Sequence, residues 1–311
     1  MGQRDKRRAY LSVGLTLALF ALAANYIYTH WPEFRALLTQ PIGAKTWLKL
    51  ILGLAATLVL NSELLRLGVK AQGAPLDFKE GLALNMSTMA ANYFIPFKGG
   101  AGLRAYYLVA RWRLPLTAFL SQLLAISVVS LITGSFLAFF GLLALEPSRA
   151  KGPLLAYFAG TFLLGGALLL WLGRLKWAKS HPRLGALIQG WDVFRANPKL
   201  LGRLLSLQTM YFIILAAVNS QCFAAFQVEL SFNKALFFSA VQIHSTIINL
   251  TPAGLGVVEA FAVLAGQALG FSPAEALLAQ GLNRVVQLAL LLASGWWGWF
   301  YLKGLKRPID S

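Results

Sequence analysis

Apolar residues run through this chain in blocks long enough to cross a bilayer, and polar positions fall mostly at the ends of those blocks. A hydrocarbon core about 30 Å thick calls for about 20 apolar residues of helix. Six blocks meet that length and predict full transmembrane helices near 10–29, 47–68, 117–144, 153–173, 204–227 and 275–302. Two further apolar stretches, 81–113 and 235–270, are interrupted midway. The first interruption is Pro96-Phe97-Lys98-Gly99-Gly100, and the second is Thr251-Pro252-Ala253-Gly254. Each leaves a short apolar arm on either side, the pattern of a re-entrant hairpin or a broken helix pair. Between His181-Pro182 and Asn197-Pro198, the residues Leu184, Leu187, Ile188, Trp191 and Phe194 recur at helical spacing. They predict a short amphipathic helix on the cytoplasmic face, within a loop over 174–203.

The order of these elements repeats. Residues 1–144 run span, span, broken hairpin, span, and residues 153–302 do the same. Three full crossings in each half turn the second half upside down relative to the first. The expected fold is therefore all-α: one polytopic transmembrane domain over 1–311, with six full transmembrane helices and two broken hairpins in an inverted repeat. Paired Gly/Pro-interrupted segments at matching positions of two halves point to a site near the bilayer midplane.

Composition agrees with a membrane protein. The chain is 58 % hydrophobic and only 13 % charged, with a mean hydropathy of +0.63. A soluble domain carries about a quarter charged residues, so disorder, a nucleic-acid-binding domain and an ordinary soluble enzyme are all excluded. The formal charge of +17 speaks instead for topology and anionic headgroups. With the N-terminus inside and each broken stretch returning to its own side, 21 Lys and Arg lie inside, six lie outside, and Arg284 falls within the last span. That distribution places both termini in the cytoplasm. The basic start (Arg4, Lys6, Arg7, Arg8) and Ala21-Leu22-Ala23 have the shape of a signal peptide. The apolar run, however, continues toward Trp31, and an uncleaved first span is the preferred reading.

The interruptions carry the candidate chemistry. A helix that starts inside the membrane leaves backbone N–H groups unpaired at the positive end of its dipole, an arrangement suited to phosphate. Arg104 lies about one turn into the arm that follows Gly100 and Gly102, with Lys98 just before it. In the second arm Thr251 can cap a helix, Pro252 suits its first position, and Gly254 and Gly256 permit close approach. Asn92 and Asn249 precede the two breaks at matching positions. Arg104, Glu259 and Arg284 are ionisable residues within apolar stretches, where an arginine costs roughly 2.5–3.5 kcal/mol. Two readings stand for each. Glu259 and Arg284 either neutralise each other to hold helices together or form part of a binding site, and Arg104 either snorkels to the headgroups or meets a phosphate. The other intramembrane polar residues, among them Asn85, Gln122, Asn219, Gln242 and His244, are expected to hydrogen-bond between helices.

The same residues carry a resemblance. Asn92-Tyr93-Phe94-Ile95-Pro96 with Gly100-Ala101-Gly102-Leu103-Arg104, then Thr251-Pro252-Ala253-Gly254-Leu255-Gly256-Val257-Val258-Glu259, then Asn283-Arg284 resemble three signatures of the lysylphosphatidylglycerol synthase/flippase transmembrane family. The likeness covers nearly the whole chain. It departs at Ala101, where relatives often carry an acidic residue three positions before the arginine. The resemblance implies a membrane protein that binds and translocates lipid. In the best-known members this domain flips aminoacylated phosphatidylglycerol, and an attached soluble domain performs the aminoacyl transfer. Ser311 follows the last span by nine residues, so that transfer is not expected.

The chemistry of an enzyme is sparse: no Asp-rich metal–diphosphate motif, no Walker loop, no Gly-x-Ser-x-Gly elbow, and three histidines far apart. No catalytic residue, metal or cofactor is expected. The expected function is a flippase-like lipid transporter of a prokaryotic plasma (inner) membrane. Its partner is an anionic phospholipid or a polyprenyl-phosphate lipid, it works without nucleic acid, and a homodimer is one assembly open to it, the sequence leaving the oligomeric state undetermined. A transporter of a small soluble anion and a non-transporting scaffold for a lipid-modifying enzyme are the alternatives.

Overall fold

The computed structural model describes residues 25, 28–38, 41–95, 99–146, 151–171, 174, 181–245 and 254–305. Among them the regular elements are helices: α1 (Trp31–Leu37), α2 (Ala44–Ala71), α3 (Phe78–Phe94), α4 (Gly99–Trp112), α5 (Leu116–Leu143), α6 (Lys151–Trp171), α7 (Pro182–Arg195), α8 (Pro198–Ala224), α9 (Phe232–Ser245), α10 (Val257–Ala268) and α11 (Pro273–Gly304). Five of these, α2, α5, α6, α8 and α11, are long and apolar enough to cross a membrane. They match five of the six expected spans. The remaining one, 10–29, lies almost entirely outside the described residues.

The long helices start earlier than hydropathy alone places them, because hydrogen bonding rather than apolarity sets a helix end. Asn197 Oδ1 accepts the Leu200 amide at 3.0 Å, with Pro198 in the first turn. Ser272 Oγ accepts the Glu275 amide at 3.2 Å while the Glu275 carboxylate accepts the Ser272 amide at 2.7 Å. That reciprocal cap starts α11.

Both interrupted stretches fold as two helical arms packed against each other, α3 on α4 and α9 on α10. Two central helices, α2 and α8, pack on one another and serve as the common wall of both pairs: α2 against α3, α8 against α9. Two further long helices each pack against an arm of an interrupted stretch, α11 against α3 and α5 against α9. Both crossings are made at glycines. Gly295 and Gly298 of α11 lie against Ala83, Met86, Ser87 and Ala90 of α3, and Gly134 and Gly141 of α5 lie against Ile243, Asn233 and Phe237. Without a hydrophobic drive between helices in lipid, such small residues let backbones approach and dispersion contacts accumulate.

The expected amphipathic helix is α7. Ile188, Trp191 and Phe194 are buried, and Trp191 and Phe194 share a cluster with Leu64, Ala125 and Leu204. The Ser121 hydroxyl donates to the Leu187 carbonyl at 2.6 Å and the Gln72 amide to the Gly190 carbonyl at 2.7 Å. Its apolar stripe thus docks on α2, α5 and α8. Helix α6 stands at the periphery against α5, with Leu163, Leu164, Leu170 and Trp171 exposed, as a lipid-facing surface requires.

Candidate functional site

Polar side chains inside the helical bundle form three clusters where an arm of an interrupted stretch meets a neighbouring helix. The first lies between α2, α3 and α4. Arg104 donates through Nη2 to Asn85 Oδ1 at 3.0 Å and to Thr88 Oγ1 at 2.9 Å. The Asn85 amide continues to the Ser62 hydroxyl at 3.0 Å. These partners are neutral, so the guanidinium is hydrogen-bonded without being neutralised. Ala101, one turn before Arg104, offers no carboxylate. Asn92 Oδ1 accepts the Gly100 amide at 2.8 Å, satisfying an N–H at the start of α4 that the helix leaves unpaired. Any side chain at Gly100 would strike the Thr88 carbonyl, whereas Gly102 faces open space.

The second cluster gathers around Arg284 of α11. Arg284 forms an ion pair with Glu259, and its Nη2 lies 3.3 Å from both Glu259 Oε2 and the Gly254 carbonyl oxygen. Glu259 also accepts the Gly256 amide at 2.7 Å. One carboxylate therefore closes the N-terminus of α10 and holds the guanidinium. Gly254 and Gly256 have φ of +67° and +82°, a left-handed backbone that favours glycine. This turn aims the Gly254 carbonyl at Arg284.

A polar cavity of about 140 Å³ opens beside this pair, lined by Tyr93, Gln242, Gln280, Asn283, Arg284 and Gln287 among others. Tyr93 belongs to the end of α3, next to the first interruption. Its hydroxyl donates to Gln287 Oε1 at 3.2 Å. Val258, next to the second interruption, lines the same cavity. Behind the wall, the Gln242 amide donates to Gln280 Oε1 at 2.9 Å, Asn283 to Asn219 Oδ1 at 3.2 Å, and Asn219 to Ser239 Oγ at 2.8 Å. These bonds tie α8, α9 and α11 together. Arg104 is not among the lining residues; the two arginines have separate surroundings.

The third cluster clamps the first hairpin at its open end. Buried Glu80 of α3 accepts from Tyr107 Oη at 2.8 Å, Arg111 Nε at 2.7 Å and Trp112 Nε1 at 2.8 Å, all from α4.

Of the residues the sequence nominates, the structure joins Gly254, Gly256, Glu259 and Arg284 in one site and Asn92, Gly100 and Arg104 in another, with Gly102 beside the latter. Lys98, Asn249 and Thr251 lie outside the described residues. Tyr93, Gln280 and Gln287 are cavity residues that sequence reasoning passed over, as it did Glu80. Gln280, Asn283, Arg284 and Gln287 have the i, i+3, i+4, i+7 spacing of one helix face, a polar stripe in an apolar helix that could have revealed them. Asn85, Asn219 and Gln242 hydrogen-bond between helices as expected. Gln122 and His244 are buried without a hydrogen-bond partner among the described residues.

Among the described residues no group of three or more His, Cys, Asp or Glu could hold a metal ion. What the arrangement offers is a small cavity of mixed polar and apolar lining in an apolar bundle, beside a guanidinium held by the Glu259 carboxylate. A family model described as the lysylphosphatidylglycerol synthase TM region matches residues 10–295. No curated protein and no solved structure matches the chain.

Proposed function

Because the chain belongs to the lysylphosphatidylglycerol synthase TM-region family, we propose that it is a lipid flippase that carries a phosphate-bearing headgroup past the bilayer midplane, without enzymatic chemistry of its own. The observation that carries this reading is the polar cavity shared by the ends of both interrupted stretches, Tyr93 from one and Val258 from the other, with Arg284 in its wall. At about 140 Å³ it falls below the roughly 300 Å³ of a pocket that encloses a drug-sized ligand. A phosphate group suits that space, and acyl chains stay in the surrounding lipid. Arg104, whose hydrogen-bond partners among the described residues are neutral, is a second station for the same phosphate on the first hairpin.

In this reading the chain has two inverted halves, 1–144 and 153–302, with six spans and two re-entrant hairpins. The matched packing supports it. The contacts of α2 with α3, α3 with α4 and α5 with α9 have counterparts in those of α8 with α9, α9 with α10 and α11 with α3, and α2 against α8 is its own counterpart. Rocking of one half against the other changes the side to which the cavity opens. The excess of Lys and Arg in the loops counted as inside supports a topology with both termini and α7 at the cytoplasmic face, and in this reading the membrane is a prokaryotic inner membrane.

Reconstitution into liposomes containing a fluorescent phosphatidylglycerol or polyprenyl phosphate tests the proposal. Dithionite reduction should reach inner-leaflet label at a rate that depends on the protein and falls with Arg284→Gln. Protein-independent rates for every anionic lipid overturn it. The small cavity also suits a free anion, so uptake of inorganic phosphate without lipid movement favours the soluble-anion reading instead.

A further inference from the structure

Away from the Arg284 cavity, a second space runs along the outside of the bundle where α6, α9 and α10 meet. Its wide end, about 540 Å³, lies at the C-terminus of α5, the end opposite α7, and is lined by Lys151, Lys234, Glu146 and Gln267. It continues into an apolar groove of about 160 Å³ lined by Tyr157, Phe158, Val241, Phe261 and Leu264. Leu154 and Ala268 line both spaces. The groove follows one face of each helix: Lys234, Phe237, Val241 and His244 on α9, and Phe261, Leu264 and Ala268 on α10. Ten residues from Lys234 to His244 give a length of about 15 Å. Leu264 is 61 % and Tyr157 49 % exposed, so the groove lies open along its side. At its inner end sits His244, 4 % exposed, its ring 5.4 Å from those of Tyr157 and Phe158 and its nitrogens without a hydrogen-bond partner among the described residues.

We infer that this groove holds one anionic phospholipid drawn from the bilayer, with its phosphate at Lys151 and Lys234 and one acyl chain between α6 and α10. Charge and shape both argue for it. Two ammonium groups face one carboxylate, leaving the wide end net positive. Lys151 donates to the Leu143 and Leu145 carbonyls and Lys234 to the Leu269 carbonyl at 3.4 Å. These bonds fix both ammonium groups at helix C-termini while leaving further N–H donors on each. Below them the lining is apolar, Tyr157 apart, until His244. A free phosphate has no use for that groove, and a neutral lipid has none for the lysines. The groove is separate from the Arg284 cavity, and its occupancy does not rest on the flippase reading. The two are neighbours across a single turn of helix: Gln242 and Ser245 line the central cavity, Val241 and His244 the groove.

The test uses the full chain in nanodiscs with a phosphatidylglycerol that carries a diazirine along one acyl chain, followed by peptide mapping of the photoadducts. Adducts should concentrate on Tyr157, Phe261 and Leu264. Diacylglycerol with the same photoreactive chain should label these positions about tenfold less, the loss expected from one or two charge-assisted hydrogen bonds. Excess inorganic phosphate should compete weakly. Lys151→Gln with Lys234→Gln should lower labelling by a similar factor. The comparison between lipids needs only the unaltered protein, so it stands even where the double variant fails to fold. Equal labelling by both lipids, complete displacement by inorganic phosphate, or adducts spread evenly to lipid-facing positions such as Leu163 overturns the inference.

Discussion

Asn92 and Gly100 stand on opposite sides of the first interruption, and the Asn92 side chain accepts the Gly100 amide at 2.8 Å. The residue that ends one arm therefore begins the next. The start of a helix leaves backbone donors without partners in the helix, and here one of them is satisfied across the break. Asn92→Ala should lower stability by about 1–3 kcal/mol, the cost of an unsatisfied buried donor. Asn92→Asp, which keeps the acceptor, should retain the cap. Thermal unfolding in detergent measures both.

Gly100 and Gly102 are two residues apart and predict opposite outcomes. Gly100→Ala places a methyl against the Thr88 carbonyl and forces the arms of the first hairpin apart, at about 1–3 kcal/mol. Gly102→Ala meets no atom within 4 Å and should fall within about 0.5 kcal/mol of the parent. Melting curves of the two variants side by side are the check.

Arg284→Gln alone leaves Glu259 as an uncompensated, largely buried carboxylate and should cost about 3–5 kcal/mol. Adding Glu259→Gln should restore part of that loss, because the side-chain amide oxygen it introduces still accepts from the Gly256 amide. The restored protein then separates the two roles of the pair. With a binding role, lipid scrambling stays depressed by at least about tenfold, the worth of one charge-assisted bond. Scrambling that recovers with stability assigns the pair to holding helices together.

Arg104→Lys keeps the charge but not the fork that spans Asn85 and Thr88. It should slow lipid movement while leaving the protein folded. Arg104→Gln should slow it further, since no other cation replaces it among the described residues of that cluster. Initial scrambling rates at matched protein-to-lipid ratios measure the order.

Glu80 is 3 % exposed and is bonded by three side chains of α4. Glu80→Ala removes the shared acceptor of Tyr107, Arg111 and Trp112 and loosens the packing of α3 on α4, and should lower stability by about 3 kcal/mol, roughly 1 kcal/mol for each hydrogen bond lost. The Arg284 cavity does not include Glu80, so lipid movement per folded molecule should change little. Unfolding and scrambling measured on one preparation separate the two effects.

How far the chain could be understood in advance depends on the range of the interaction concerned. The long helices are legible because lipid demands that each span satisfy its own backbone, which makes length and hydropathy sufficient. Their ends are less so: Asn197 and Ser272 move the starts of α8 and α11 outward through caps that a hydropathy window does not register. The amphipathic spacing of Ile188, Trp191 and Phe194 marks α7, yet spacing does not say whether such a stripe meets lipid or protein. Here it meets α2, α5 and α8.

The chain's own pattern determines where backbone leaves regular helix, which ionisable groups sit in apolar surroundings, and that glycine occupies the left-handed turn at 254 and 256. These are local properties, carried by Pro, Gly and charge within a few residues. Partnership is decided elsewhere. Arg284 has a carboxylate 25 residues away, while the partners of Arg104 among the described residues are an amide and a hydroxyl, 19 and 16 residues away. Glu80 gathers donors 27 to 32 positions further on. No periodicity encodes those distances. They follow from which faces of α3, α4, α10 and α11 pack together, and that packing gives one of two similar arginines a carboxylate and the other, among the described residues, neutral partners.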